Sequence, residues 1–269
     1  MDNPLRVGGV PEHFNLPFHL LQEAGSPVPF SWQDYPGGTG ALCRALDASE
    51  LDVATLLTEG AVAHNERHAS LAVVSFWVYS PLLWGIHTGA ASPIQTVAAL
   101  RGKPFAISRQ GSGSQLMCYF LAQQEGWPKT SLSFVEVGHL AGGTQALVHQ
   151  EAAGFLWERF MTQPLVTDGS LRRLGVLPTP WPAFVLAVRP HVWEHRQQEV
   201  RVFIEAALAQ AELFTKSETA AHTIAQRYGL TEPESAEWLS LTRWAYPLQE
   251  GVGRQLLKVR AMLDDVGAL

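Results

Sequence analysis

The chain has 269 residues and a mass of 29.5 kDa, enough for a large buried core and for more than one layered unit, which excludes a peptide or a metal-stapled mini-protein. Hydrophobic residues make up 46% and charged residues 16%, with a mean hydropathy of +0.02, the balance of a chain that folds alone rather than a disordered one. A net charge of -6, with only 19 Lys and Arg along the whole length, leaves no basic footprint for nucleic acid.

Strand-like and helical patterns alternate from the start. Leu5 to Val10 reads as a strand, and Asn15 is placed to cap a helix carrying Leu16, His19 and Leu20 that Gly25 closes. Phe30 to Asp34 is a second strand, followed by the turn Tyr35-Pro36-Gly37-Gly38-Thr39-Gly40 and a helix with Ala41, Leu42, Ala45 and Leu46 on one side. Asp52 to Leu57 is the third strand, with Thr58-Glu59-Gly60 as its exit, and Leu71 to Val78 is a near-continuous apolar strand of the kind buried on both faces.

The same grammar restarts after Trp84. Pro104 to Ser108 is a strand opening through Arg109-Gln110-Gly111-Ser112-Gly113-Ser114 into a helix, Gln115 to Gln124. Leu132 to Val137, Gly154 to Trp157 and Leu171 to Val176 are strands, with helices at Thr144 to His149 and around Phe160 to Val166. The stiff segment Pro178-Thr179-Pro180-Trp181-Pro182 separates the last of these strands from another, Phe184 to Val188. Beyond it the pattern is helical. Val200, Phe203, Ile204, Ala207, Leu208 and Ala211 form an amphipathic stripe. A helix ends at Gly229, a capping box of Thr231 and Glu234 opens one running through Trp238, Leu241 and Trp244, and a last helix covers Gln255 to Val266.

Cys43 and Cys118 are too few and too isolated for a disulfide framework or a thiolate metal site; buried thiols are expected, and a single bridge stays open by count. His64 and His68 have the i, i+4 spacing of paired metal ligands, but Glu66 stands at the wrong offset for the His-Glu-x-x-His template, and an exposed polar helix face explains the run. No run reaches the roughly 18 to 20 apolar residues of a membrane helix, so the chain is not expected to be membrane-embedded. The first ten residues lack the charged and apolar regions of a secretory leader, from which cytoplasmic residence is the expectation.

Gly8-Gly9-Val10-Pro11-Glu12-His13-Phe14-Asn15 at the opening, Leu51-Asp52-Val53-Ala54 at the third strand and Leu100-Arg101-Gly102-Lys103-Pro104 later in the chain together resemble type 2 periplasmic binding proteins. Within that superfamily they resemble the nitrate, sulfonate and thiamine-precursor branch of ABC-transporter substrate-binding proteins. The resemblance covers essentially the whole chain. It implies an α/β fold of two lobes with mixed, mostly parallel sheets, helices on both faces and a C-terminal helical tail. Lobe one would span roughly 1–82 and 184–269, and lobe two roughly 83–183. It also implies hinge closure on a small-molecule ligand, no cofactor, and an ABC permease as partner. A trimmed leader would then make the location periplasmic or lipid-anchored. Cytoplasmic enzymes of thiamine-pyrimidine and menaquinone biosynthesis resemble the same scaffold. The cysteine-rich segment and consumed histidine of the pyrimidine synthases have no counterpart here, since Gly60 and its neighbours stand where that histidine would be.

Ligands of open α/β sheets sit beyond the carboxyl ends of strands, near helix N-termini. That rule selects Glu12, His13, Phe14 and Asn15 after the first strand, Gly38 and Thr39 after the second, and Thr58 and Glu59 after the third. It also selects Arg109, Gly111, Ser112, Gly113 and Ser114, a turn that joins a strand to a helix but lacks the Gly-Lys-Ser or Gly-Lys-Thr ending of a P-loop. Trp84, Trp157 with Glu158, and Trp181 supply rings for a flat ligand. Glu12, Glu59 and Glu158 stand against Arg109 alone. An acidic set of this kind suits a small, amine-bearing heteroaromatic solute better than a strong anion. The bland alternatives are that Asn15 only caps its helix, His13 is solvated and the tryptophans fill gaps under loops.

Overall fold

A computed structural model describes residues 3–248 and 251–269. The chain divides into two compact units, one formed by Met1–Pro81 with Trp181–Arg260 and the other by Leu82–Pro180 with Ala261–Leu269. Unit one therefore includes the helical region only as far as Arg260, and residues 261–269 pack with unit two rather than continuing the first lobe.

Unit one begins β1 (Leu5–Gly9), α1 (Leu16–Ala24), β2 (Phe30–Asp34), α2 (Gly38–Asp47), β3 (Val53–Leu57) and α3 (Thr58–His68), then enters the long strand β4 (Ala72–Gly89). β1 lies parallel to both β2 and β3, and β3 pairs antiparallel with a later strand from Val53↔Val188 to Leu57↔Phe184. Unit two repeats the pattern with β5 (Pro104–Ile107), α4 (Gly113–Gln124), β6 (Ser133–Glu136), α5 (Leu140–Val148), β7 (Gly154–Glu158) and α6 (Gln163–Thr167). There β5 is parallel to β6 and β7, and β7 is antiparallel to β4 from Trp84↔Glu158 to His87↔Phe155. β8 (Leu171–Val188) returns the chain to unit one, which closes with α7 (Pro190–His195), α8 (Gln197–Thr215), α9 (Ala220–Tyr228), α10 (Glu232–Leu241) and most of α11 (Val252–Asp265).

β4 and β8 are longer than the sequence suggests, because proline does not break an extended strand when its missing N–H falls where no bond is needed. Pro178, Pro180 and Pro182 alternate, so all three lie on one side of β8, while Leu177, Thr179, Trp181 and Ala183 are buried on the other. Leu171–Val176 and Phe184–Val188 are accordingly parts of one strand, and the strand expected at Leu71–Val78 continues to Gly89. Thr58-Glu59-Gly60 is not a simple exit but the first turn of α3, where Glu59 faces the positive end of the helix dipole. α10 has the expected capping box but stops at Leu241. Trp244 is drawn off to bridge Val78, and its Nε1 donates to Phe14 O at 3.1 Å.

The core of unit one has an aromatic half and an aliphatic half. Phe18 stacks between Trp32 at 4.9 Å and Trp77 at 4.3 Å, with Phe203 of α8 beyond; each such buried side chain stabilises the fold by about 1.5–3 kcal/mol. Leu42, Leu46, Leu56, Phe76 and Val185 fill the other half, with the Cys43 side chain among them. Cys118 is buried in unit two, and neither cysteine forms a disulfide.

At the amino edge of β1 and β3, Asp52 ties three strands together. Its Oδ2 accepts from Arg6 N and Nε at 3.0 Å each, and its Oδ1 accepts from Arg6 Nη2 at 2.7 Å and from Arg189 Nη2 at 2.8 Å. In unit two, Gly142 of α5 sits so close to the preceding loop that a Cβ there would lie 2.1 Å from Val137 O. Because the obstacle is backbone, Gly142→Ala is expected to cost unit two about 1–3 kcal/mol, read as earlier urea unfolding and faster hydrogen exchange across α5 and β6; an unchanged midpoint would contradict this packing.

Candidate functional site

In unit one the carboxyl edges of β1 and β3 bring several selected residues together. The 3-10 turn His13–Asn15 carries the chain from β1 into α1. Glu12, just before it, keeps some accessible surface, yet it is surrounded by enough protein that burial pushes its carboxyl up to about 7. His13 is fully buried, stacked on Trp238 at 4.4 Å and edge-on to Phe14 at 4.9 Å. Burial holds its pKa down at about 3, so the ring is neutral at physiological pH. It is not solvated, and it packs as an aromatic. Phe14 joins the same cluster, 5.0 Å from Phe184, and its carbonyl accepts from Trp77 Nε1 at 3.0 Å.

Asn15 stands at the N-cap of α1 without using its side chain to cap it. Nδ2 donates to Val10 O at 2.8 Å and Oδ1 accepts from Thr55 Oγ1 at 3.1 Å, fixing the β1 loop against β3. The neighbouring Gly9 leaves no room for a Cβ, which would lie within 2.7 Å of Thr55, Asn15 and Trp32 together. The capping role expected of Asn15 is thus replaced by cross-strand bonding.

Gly38, at φ +67, opens α2 in a backbone conformation that L side chains rarely adopt, and Thr39 behind it accepts from Leu57 N at 3.1 Å. Thr58 Oγ1 donates to Pro182 O at 2.5 Å. Glu59 has no accessible surface; its Oε2 accepts from Trp181 Nε1 at 2.9 Å, while Oε1 is buried with no hydrogen-bond partner. Burial raises its pKa to about 7 against the downward pull of its own backbone N–H and the Trp181 bond. Thr39, Thr58, Glu59 and Trp181 are therefore gathered in one place. Trp181 is buried and orients the Glu59 carboxyl through its Nε1–H.

In unit two the turn after β5 is built mainly for its own support. Gly111 takes φ +69, and its N–H donates to Gln115 Oε1 at 2.6 Å. Ser112 caps α4 through Gln115 N, its hydroxyl lies 2.9 Å from that of Ser114, and Ser114 in turn accepts from Ser108 N at 3.0 Å. Both serines are buried, and Arg109 and Gly113 are partly exposed beside them. Glu158 ends β7 with Oε2 accepting from Met161 N at 2.7 Å, opposite Trp84, whose Nε1 is buried without a partner. Trp157 is half-buried, 5.3 Å from Phe155.

Sequence inspection passed over His87, hidden inside the apolar run of β4. It is fully buried in unit two, with Nε2 3.0 Å from Thr162 Oγ1 and 3.4 Å from Arg173 Nε. Burial first, then the Arg173 charge, hold its pKa down at about 3. A histidine in an otherwise apolar strand, with an arginine in β8, was the available signal. His64, by contrast, spends Nε2 on Ser70 Oγ at 3.0 Å and Asp47 at 3.2 Å, and no group able to hold a metal ion occurs among the described residues.

No curated protein sequence matches this chain. A family model described as Ca3427-like PBP matches residues 84–177. Among solved structures, the Candida albicans CA3427 gene product, described as exhibiting the generic periplasmic binding protein structural fold, is similar over 100% of this chain and 91% of its own, with 23% identity and a TM-score of 0.90. The alkanesulfonate-binding protein SsuA of Xanthomonas axonopodis, solved with MOPS, gives 19% identity, coverage of 98% and 92%, and a TM-score of 0.77. PhnD1 of Prochlorococcus marinus, solved with methylphosphonate, gives 10% identity, 98% coverage of both chains and a TM-score of 0.65. The chain has the α/β periplasmic-binding-protein fold.

Proposed function

We propose that the protein is a solute-binding protein whose ligand carries a protonated amine or an aromatic amino group. The observation that carries this is Glu59, buried at the carboxyl edge of β3 with one oxygen held by Trp181 and the other without a partner. A buried carboxyl oxygen in that state is satisfied by an N–H donor. Glu12, partly exposed at the carboxyl edge of β1, adds a second carboxyl with a raised pKa. MOPS and methylphosphonate, named for the similar structures, are anions that offer no primary or aromatic amino group to match Glu59, so the ligand proposed here differs in class from theirs. An ABC permease is the partner such a receptor would serve; among the described residues no helix is long and apolar enough to cross a membrane.

The same carboxyls titrate near pH 7, which suits acid–base work and supports an enzyme as a second reading. Titration calorimetry separates the cases. A 4-aminopyrimidine is expected to bind saturably and MOPS not to bind, with Glu59→Gln weakening the aminopyrimidine at least tenfold. Conversion of the bound compound, seen by mass spectrometry, would establish the enzyme. MOPS binding that is indifferent to Glu59→Gln would overturn the proposal.

A further inference from the structure

The first turn of α3 is held from two sides within unit one. Leu57, its N-cap, donates its N–H to Thr39 Oγ1 of α2 at 3.1 Å, and Thr58 Oγ1 donates to the carbonyl of Pro182, the residue after Trp181 in β8. Glu59 comes next, with Trp181 Nε1 bonded to one carboxyl oxygen and no partner on the other. Its carboxyl therefore takes its place mainly from the backbone of this turn. Gly60 follows, a poor helix former at a position where no left-handed φ calls for glycine. The reason for it is Thr39, since a Cβ on Gly60 would lie 2.6 Å from Thr39 Cγ2. The methyl and the hydroxyl of Thr39 share one Cβ and turn together. Pushing Cγ2 aside would thus carry Oγ1 away from the Leu57 N–H.

We infer that Thr39 is a positioning residue for Glu59: its hydroxyl holds the N-cap of α3, its methyl seats on the bare Cα of Gly60, and together they set where the carboxyl stands. Thr39, selected from the sequence as a ligand contact, has its hydroxyl engaged inside the protein instead. It acts on the solute through Glu59, as a supporting shell acts on the group that makes the contact. This role rests on the reading of Glu59 as the partner of the solute, yet the geometry can be tested with no solute present.

The indole N–H resonance of Trp181, assigned by its loss in Trp181→Phe, reports the Glu59 carboxyl in heteronuclear NMR spectra of the full chain. In the wild type it is expected to titrate around pH 7, where burial places that carboxyl. Thr39→Val keeps the shape and removes the hydroxyl, while Gly60→Ala displaces it. Each is expected to lower the midpoint by about one pH unit or more, as the carboxyl reaches water. Thr39→Ser in the Gly60→Ala background removes the clashing methyl, keeps the hydroxyl and is expected to restore the midpoint. General destabilisation would lower the melting temperature and leave the titration where it was. A wild-type midpoint in both Thr39→Val and Gly60→Ala, or no restoration by Thr39→Ser, overturns the role. Calorimetry with 4-aminopyrimidine is expected to show about tenfold weaker binding in both single variants and recovery in the double one. No binding to the wild type would count against the amine-solute reading, and the NMR titration would still decide for or against Thr39.

Discussion

Asp52→Ala will cost the protein about 3 kcal/mol at pH 7. Removing one partner of a buried ion pair costs about 3–5 kcal/mol, and the lower end applies because the side chain of Arg6 is 42% exposed and can turn to water. What the variant loses is the acceptor for Arg6 Nε and Nη2, for the Arg6 backbone N–H, and for Arg189 Nη2. The backbone bonds Asp52 N to Arg6 O and Arg189 N to Asp52 O survive, so the strands keep their register while losing the side-chain tie. Urea unfolding followed by tryptophan fluorescence measures the loss. A change below about 1 kcal/mol would show that the guanidiniums need no carboxylate there.

Glu59→Gln will remove a pH dependence rather than add a uniform cost. The carboxyl of Glu59 is raised in the folded chain to about 7 from an ordinary value of 4.5. Its neutral form is therefore the one the fold favours, and its contribution to stability is full below about 4.5 and lost as the pH rises through 7. A shift of that size corresponds to about 3 kcal/mol. Glu12 acts in the same direction over the same range. Asp52 acts oppositely: burial alone would raise its pKa, but the bonds from Arg6 and Arg189 hold it below its usual 3.8, so its contribution is lost only in stronger acid. The stability difference between wild type and Glu59→Gln should change by about 3 kcal/mol from pH 4.5 to pH 8. A difference flat across that range would mean that Glu59 does not carry the proton.

Much of the architecture could be read from the residues because its signals are local. Phe30–Asp34 is a strand with the expected bounds, its Phe and Trp alternating with polar residues, and the Thr231–Glu234 capping box is present atom for atom. The misreadings share a cause, which is that the deciding partner lies far away in sequence. Pro178, Pro180 and Pro182 look like punctuation until the exposed side of β8 is known. Trp244 completes a helical stripe until Val78 and Phe14 claim it. His13 looks like a solvated polar residue in a loop until Trp238, 225 positions on, stacks over it. The pairing of Glu59 with Trp181 spans 122 positions and could not be deduced, although each residue had been selected on its own.

Residues 261–269 bear on how the protein is made. They belong to unit two, where Asp265 accepts from Gln123 Nε2 at 2.8 Å and Gly267 O accepts from Lys129 Nζ. Likewise β3 waits for Phe184–Val188 before its antiparallel edge is covered. Neither half can thus be finished while it is being synthesised: the first leaves a strand edge open for more than a hundred residues of elongation, and the second lacks its final contacts until this segment has left the ribosome. Such late closure makes a nascent chain dependent on protection from aggregation. A fragment of residues 82–180 expressed alone would be missing the piece that seals it.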